Sequence, residues 1–418
     1  MTSVVLGVGA GIAAYKSCEL LRLFTESGHD VRVVPTRDAL RFVGEPTWAA
    51  LSGNPVTSEV WESVHEVPHV RIGQHADLVV VAPATADVLA RAAGGLAGDL
   101  LTNTLLTARC PVVFAPAMHT EMWDHPATRA NVATLRERGS IVIEPAVGRL
   151  TGADTGPGRL PDPAEIFEVC RRVLAGRGAD LAGRHVVVSA GGTREAIDPV
   201  RFIGNHSSGL QGYALARTAV ARGAEVTLVS ANVALPDPAG AKVVRVDSAR
   251  RLREAVLAAA GHADAVVMAA AVADFRPVRT SDTKIKKSAA EPDAIHLTRN
   301  PDVLAELGEI RRARREPYGD AERAAGRGAS EGVAPPYPRV IVGFAAETDD
   351  VLANGRAKLE RKGCDLLVVN QVGHGLAFGT PDNAAVVLTA EGGSVEIPRG
   401  PKEDLADVVW DLVAARLS

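Results

Sequence analysis

Short runs of valine, leucine, isoleucine and alanine recur along the chain, separated by longer stretches in which apolar residues return every three or four positions. A strand buried on both faces reads as a nearly continuous apolar run, and a crossover helix reads with a period near 3.6. Their alternation predicts βαβ units on a parallel sheet. In the first half the expected strands are SVVLGV (3–8), VRVVPT (31–36), DLVVVAPA (77–84), PVVFAPAM (111–118) and IVIEPA (141–146), with helical stretches such as 13–27 and 131–139 between them. The pattern lapses at LAGRGADLAG (174–183), where small residues offer neither periodicity nor a core face. It restarts with HVVVSAGG (185–192), EVTLVSA (225–231), DAVVMAAA (264–271), VIVGFAAE (340–347) and CDLLVVN (364–370). NAAVVLT (383–389) and SVEIP (394–398) read as a hairpin, and 402–417 as a closing helix. The expected fold class is α/β, with two doubly wound, Rossmann-like domains over 1–178 and 184–418.

Composition narrows the chemistry. A chain of 418 residues exceeds what one core usually supports, in keeping with two domains. The formal net charge of −4 carries no basic stripe, which argues against nucleic-acid binding and for small-molecule chemistry. Cys18, Cys110, Cys170 and Cys364 are widely spaced and form no CxxC pair, so neither a disulfide framework nor a zinc site is indicated. Reduced thiols point to the cytoplasm. The apolar start has no cationic leader and is broken by Gly7, Gly9 and Gly11, well short of a membrane span, so no membrane association is expected. One segment, about 311–338, is charged and dense in glycine, proline and alanine, and reads as a mobile insertion.

In open α/β sheets ligands bind beyond the carboxyl ends of the strands. Four such ends in the first half hold candidate residues: Gly9, Gly11 and Ile12 in GVGAGIAAYK, Thr36 in VVPT, Ala84, Thr85 and Ala86 in VAPATAD, and Met118 in APAMHTEMW. Glycine admits a phosphate to the backbone, and the helix that follows offers unpaired N–H groups and a favourable dipole. The acidic residue that holds a dinucleotide ribose at the end of a second strand is missing, and Thr36 stands there. That favours a mononucleotide such as FMN over NAD. In the second half, RFIGNHSSGLQG (201–212) repeats the device of a polar, glycine-bearing loop before a helix.

These segments resemble the bifunctional phosphopantothenoylcysteine decarboxylase / phosphopantothenate–cysteine ligase of bacterial coenzyme A synthesis. The likeness extends over nearly the whole chain except the insertion. The glycine motif, PATAD and PxMNxxMW segments of its flavin-dependent decarboxylases stand here as GAGIAAYK (9–16), PATAD (83–87) and PAMHTEMW (116–123). The resemblance implies a flavodoxin-like flavoprotein domain followed by a nucleotide-binding ligase domain. It places the active-site base at His69 and puts His119 against substrate where the family has asparagine. It also shows Gly152 where relatives carry a flap cysteine that acts as an acid.

For the ligase half, DPVRFIGNHSSGLQG (198–212) matches the family signature, which implies catalytic roles for Arg201, Asn205 and Lys284. The family's nucleotide-binding series falls on Asp274, Lys284, Pro301, Asp302, Val303, Leu304, Phe344, Lys358 and Lys362. The implied reaction activates 4′-phosphopantothenate with CTP as an acyl cytidylate, which cysteine then attacks. The phosphopantothenoylcysteine formed is decarboxylated with FMN to 4′-phosphopantetheine. Mg2+ is expected on the triphosphate, with protein ligands that the sequence leaves unknown. Relatives form homo-oligomers, with flavin-domain trimers that associate as dodecamers and ligase domains that pair as dimers.

The composition of the insertion yields one expectation at once. Deleting residues 317–336, which offer little apolar surface to bury, should leave folding and both activities intact. A large rise in the KM for CTP would identify the segment as a lid instead.

Overall fold

The apolar runs pair as parallel strands. The computed structural model describes residues 2–56, 68–150, 154–286, 294–313, 338–347, 351–371 and 382–418. Most of the expected insertion, Gly152 and Lys287 lie outside the described residues. The chain divides into two compact units, Met1–Gly178 with Asp237–Gly240, and Ala179–Pro236 with Ala241–Ser418.

In the first unit β1 (Ser3–Val8), β2 (Asp30–Pro35), β3 (Leu78–Ala84), β4 (Val112–Pro116) and β5 (Ile141–Val142) form one parallel sheet in the order 2-1-3-4-5. This is the flavodoxin-like order, whose switch point lies between β1 and β3. The crossovers are α1 (Ser17–Glu26), α2 (Glu45–Ser52), α3 (Pro68–His75), α4 (Ala86–Gly94), α5 (Leu100–Thr107), α6 (Thr120–Trp123), α7 (Pro126–Glu137) and α8 (Pro163–Leu174). Their starts are written in the sequence. Thr85 accepts from the Val88 N–H, and Asp99 with Thr102 and Asp162 with Glu165 close capping boxes. The expected strand at 141–146 is shorter than the reading, because Ala146 begins a separate hairpin of β6 (Ala146–Arg149) and β7 (Thr155–Arg159).

The second unit pairs β8 (His185–Gly191), β11 (Glu225–Ala231), β12 (Ala241–Val246), β13 (Ala265–Met268), β16 (Val340–Glu347) and β17 (Leu366–Gln371) in parallel. Two antiparallel strands, β18 (Asp382–Thr389) and β19 (Ser394–Pro401), extend it to the order 12-11-8-13-16-17-18-19. Ranked along the chain, the parallel six read 3-2-1-4-5-6, the Rossmann order. Two small hairpins stand apart from the sheet, β9 (Arg194–Ala196) with β10 (Phe202–Gly204), and β14 (Phe275–Pro277) with β15 (Leu297–Arg299). Helices α9 (Leu210–Ala221) and α13 (Lys402–Leu417) cover one face over Val186, Val188 and Val226. Helices α10 (Ala249–Ala260), α11 (303–313) and α12 (Val351–Lys362) cover the other over Val187, Val266 and Ile341. Both faces of the central strands are therefore sealed, which is why β8, β13 and β16 read as apolar runs.

At the switch point of the first unit, the Gly9 N–H donates to the Pro83 carbonyl at 3.0 Å, and a Cβ on Gly9 would lie 2.5 Å from that oxygen. A Cβ on Gly11 would meet nothing within 4 Å, and its φ of 177° is extended backbone open to any residue. Gly9→Ala should therefore destabilise the first unit by about 1–3 kcal/mol, and Gly11→Ala should leave its unfolding midpoint unchanged. Thermal unfolding followed by circular dichroism checks both, and equal midpoints would show that the β1–β3 contact yields freely.

Candidate active sites

A crossover helix runs antiparallel to the strands it joins, so its first turn lies at the carboxyl edge of the sheet. In the first unit this brings several candidates to one edge. Gly9 and Gly11 follow β1, Thr36 follows β2, Ala84 ends β3, Thr85 and Ala86 open α4, and Met118 follows β4. Ile12 and Tyr15 present largely exposed apolar side chains beside Gly11. His69 is the second residue of α3, so its half-buried ring belongs to the same edge. Gly73 seats α3 closely on α5, and the Thr107 hydroxyl donates to the His69 carbonyl at 2.8 Å.

Two buried polar atoms of this edge have no partner, the Thr36 hydroxyl oxygen and His69 Nδ1. An unsatisfied buried polar atom costs about 1–3 kcal/mol, so its presence at a strand end calls for a ligand. Thr36 rather than an acid stands at the end of β2, where a second ribose would be held. The donor set thus fits a mononucleotide phosphate and ring. Met118 donates its N–H to the Gly158 carbonyl at 2.8 Å, which ties the end of β4 to the β6–β7 hairpin. His119 is exposed and caps α6 through its backbone alone. Burial pushes the thiols of Cys110 and Cys170 up, against any role for them as acids or nucleophiles.

In the second unit a cavity of about 960 Å³ opens along the carboxyl edge. It gathers Asn205, Asp274, Pro301, Asp302, Val303, Leu304, Phe344, Lys358 and Lys362 from five segments far apart in the chain. A Cβ on Gly212 would lie 2.4 Å from the Ala190 Cβ, so glycine lets α9 press its first turn onto β8 beside the cavity. The Asn205 side-chain amide donates to the Val272 carbonyl at 3.0 Å, and its second N–H remains for a ligand. Asp302 accepts from the Ala305 N–H at 3.1 Å at the start of α11, and its other oxygen pairs with Lys362. Burial pushes the Lys362 ammonium down, with nearby Asp274 acting against the shift.

Arg201 and Lys284 do not line the cavity. Arg201 binds the Asp198 carboxylate at 2.5 and 3.0 Å and the Ile285 carbonyl at 2.7 Å, and it holds the Asp198 carboxyl well below the usual range. Asp198 in turn accepts from the Ile285 N–H at 3.1 Å. The pair thus anchors the segment that carries exposed Lys284. Sequence reasoning missed Gln211, Asn370, Asn383 and Lys402, all of which line the cavity. Asn370 ends an apolar strand and its buried Oδ1 lacks a partner, so the signal was a polar residue closing the run LLVV. Among the described residues no cluster of three His, Cys, Asp or Glu gathers to hold a metal, and no helix is long and apolar enough to cross a membrane.

Comparison with known proteins matches the Flavoprotein family over residues 1–175. The family described as DNA/pantothenate metabolism flavoprotein C-terminal domain matches residues 181–319 and 331–417. The coenzyme A biosynthesis bifunctional protein CoaBC of Mycolicibacterium smegmatis is 57% identical over 99% of this chain and 97% of its own length. That of Bacillus subtilis is 40% identical over 99% and 97%. A crystal structure of the C-terminal domain of a CoaBC protein is 32% identical, covers 57% of this chain and 98% of its own, and superposes with a TM-score of 0.44. Two family matches in tandem and near full-length identity to such relatives show that the chain belongs to the family of bifunctional coenzyme A biosynthesis proteins.

Proposed function

We propose that the two edges act in sequence, the second unit making the substrate of the first. The chain is a bifunctional enzyme of coenzyme A biosynthesis, with a phosphopantothenate–cysteine ligase activity and a phosphopantothenoylcysteine decarboxylase activity. The observation that supports the finer reading is the cavity of the second unit, where helix starts, lysines and carboxylates meet around one volume.

In the ligase, a carboxylate oxygen is a poor leaving group toward an amine, and transfer of the cytidylyl group of CTP to it, with release of pyrophosphate, remedies this. The cysteine amine then attacks the acyl carbon, the amide forms and CMP leaves. Asn205 donates to the anionic oxygen that develops, and Lys284, held in place by the Arg201–Asp198 pair, neutralises phosphate charge. Mg2+, if bound with the nucleotide, would offset the charge of its phosphates.

In the decarboxylase, FMN would be held by Gly9, Gly11, Ile12, Thr36, Ala84, Thr85, Ala86 and Met118, and when bound it supplies the electron sink that loss of CO2 from cysteine requires. The helix start at Ala86 and the unpartnered Thr36 hydroxyl suit its phosphate and polar edges. His69 takes or gives the proton through its imidazole, and His119 contacts the substrate. Flavin-domain trimers and residence in the cytoplasm belong to the same proposal.

The direct test is a coupled assay with phosphopantothenate, cysteine, CTP and Mg2+, with mass spectrometry for phosphopantothenoylcysteine and 4′-phosphopantetheine. Absence of both products would sink the reading. His69→Asn should slow decarboxylation about 10²–10⁴-fold and leave ligation intact, and CO2 release at the parent rate would remove His69 as the base. Asn205→Asp should slow ligation about 10²–10³-fold, roughly 3–4 kcal/mol, while sparing decarboxylation. The new carboxylate cannot donate and faces the Val272 carbonyl as well as phosphate. Pyrophosphate release and amide formation, each timed in a single turnover, show which half-reaction stalls, and parental rates in both would make the loop merely structural.

A further inference from the structure

The cavity of the second unit draws on both faces of its sheet, and its two sides differ in charge. Lys358 and Lys362 come from α12 on one face, but Asp274 and Asp302 line the same side, and Asp302 is already paired with Lys362. With Arg299, which also lines this side, three cations meet two carboxylates there. The other face contributes Lys402, the first residue of α13, and among the described residues no carboxylate lines the cavity with it.

Lys402 is only 5% exposed. Its ammonium donates to the Asp382 carbonyl at 3.0 Å, one bond for three N–H groups. Asp382 and Glu403 act on it from a distance while each holds another cation, Asp382 binding Arg399 at 2.5 Å and Glu403 binding Arg217 at 2.7 Å. Gln211, in the first turn of α9, donates to the Lys402 carbonyl at 3.1 Å and accepts from Asn383 at 3.2 Å. Those bonds fix Lys402 beside the glycine-bearing loop 204–209, where Ser207 and Ser208 accept from the Gly209 and Leu210 N–H groups. Burial pushes the Lys402 ammonium down, and an anion brought into the cavity would offset that penalty.

We infer that Lys402 is a further nucleotide-binding residue of the ligase, its ammonium meeting the triphosphate at the start of α9 while the side of the cavity that carries Asp274 and Asp302 takes the nucleoside. The assignment rests on the ligase reading and follows from charge. The triphosphate is the most anionic group in the reaction and belongs at the side from which no carboxylate lines the cavity. Asp274 and Asp302 are acceptors suited to ribose hydroxyls and a base amine, and would repel phosphate.

The test titrates the full-length protein with CTP and with CMP by calorimetry. Lys402→Met should weaken CTP about 10- to 100-fold, the range for a lost charge-assisted bond, and CMP only a few-fold. Lys402→Gln keeps an N–H for the Asp382 carbonyl and so preserves the structural tie, yet should show the same selective loss if charge is what matters. Equal weakening of CTP and CMP, or a Gln variant that binds CTP as the parent does, would overturn the inference. A parent protein that binds neither nucleotide would instead overturn the ligase reading itself.

Discussion

A parallel strand can be followed by its neighbour only after the chain has crossed back over a face of the sheet. That constraint sends every carboxyl end to one edge and every crossover helix back with its first turn at the same edge. Where successive crossovers depart to opposite faces, the edge cannot be closed by its own loops and a crevice remains. Both units obey it. In the first, the crevice lies between β1 and β3, where Gly9 and Pro83 bring the two connections into backbone contact. In the second it lies between β8 and β13, whose following loops meet at the Gly192–Ala271 bridge before they part around the cavity.

The same edge concentrates groups that the rest of the fold would not tolerate. Buried polar atoms are normally paired, yet Thr36, His69 and Asn370 each leave one without a partner at or beside a strand end. Gaps occur away from the edges too, at the Thr218 hydroxyl and Arg416 Nε, but the largest buried charge is fully met. Arg222, fully buried, is met by Asp180, Asp407 and Asp411 and by the Asp407 carbonyl, and it joins α9 to α13. At the strand ends the cost of desolvation falls where a bound ligand can offset it.

The strands were legible because burial on both faces writes an apolar run. The lapse at 174–183 contains the division at Gly178 and Ala179. Strand β12, with the pattern AKVVRV, was not read, because an edge strand is half exposed and its charges break the run. The three-residue strands β9, β10, β14 and β15 are too short to carry a period. Residues that sit in a recurring motif, such as Asn205 or Asp302, could be named from the chain. Arg201 sits in one too, but only the fold shows that its partners, Asp198 and Ile285, tie it to the lysine segment.

Lys402 was invisible for a different reason, and that reason bears on its meaning. A helix start is positive at its N–H groups, and lysine there is electrostatically disfavoured. Glu403 and Asp404 follow in the same turn, as a helix start prefers, so the lysine stands against the local trend. In sequence it reads as an ordinary surface cation. The fold removes it from solvent, turns the first turn of α9 toward it through Gln211 and lines its side of the cavity with no carboxylate. Two helix starts and an ammonium then add their positive potential over one small volume, and each would be more stable apart. Such a convergence raises the energy of the empty edge and lowers that of the edge with a polyanion in it, which is the condition for binding a nucleotide tightly enough to hold it through attack on its phosphate.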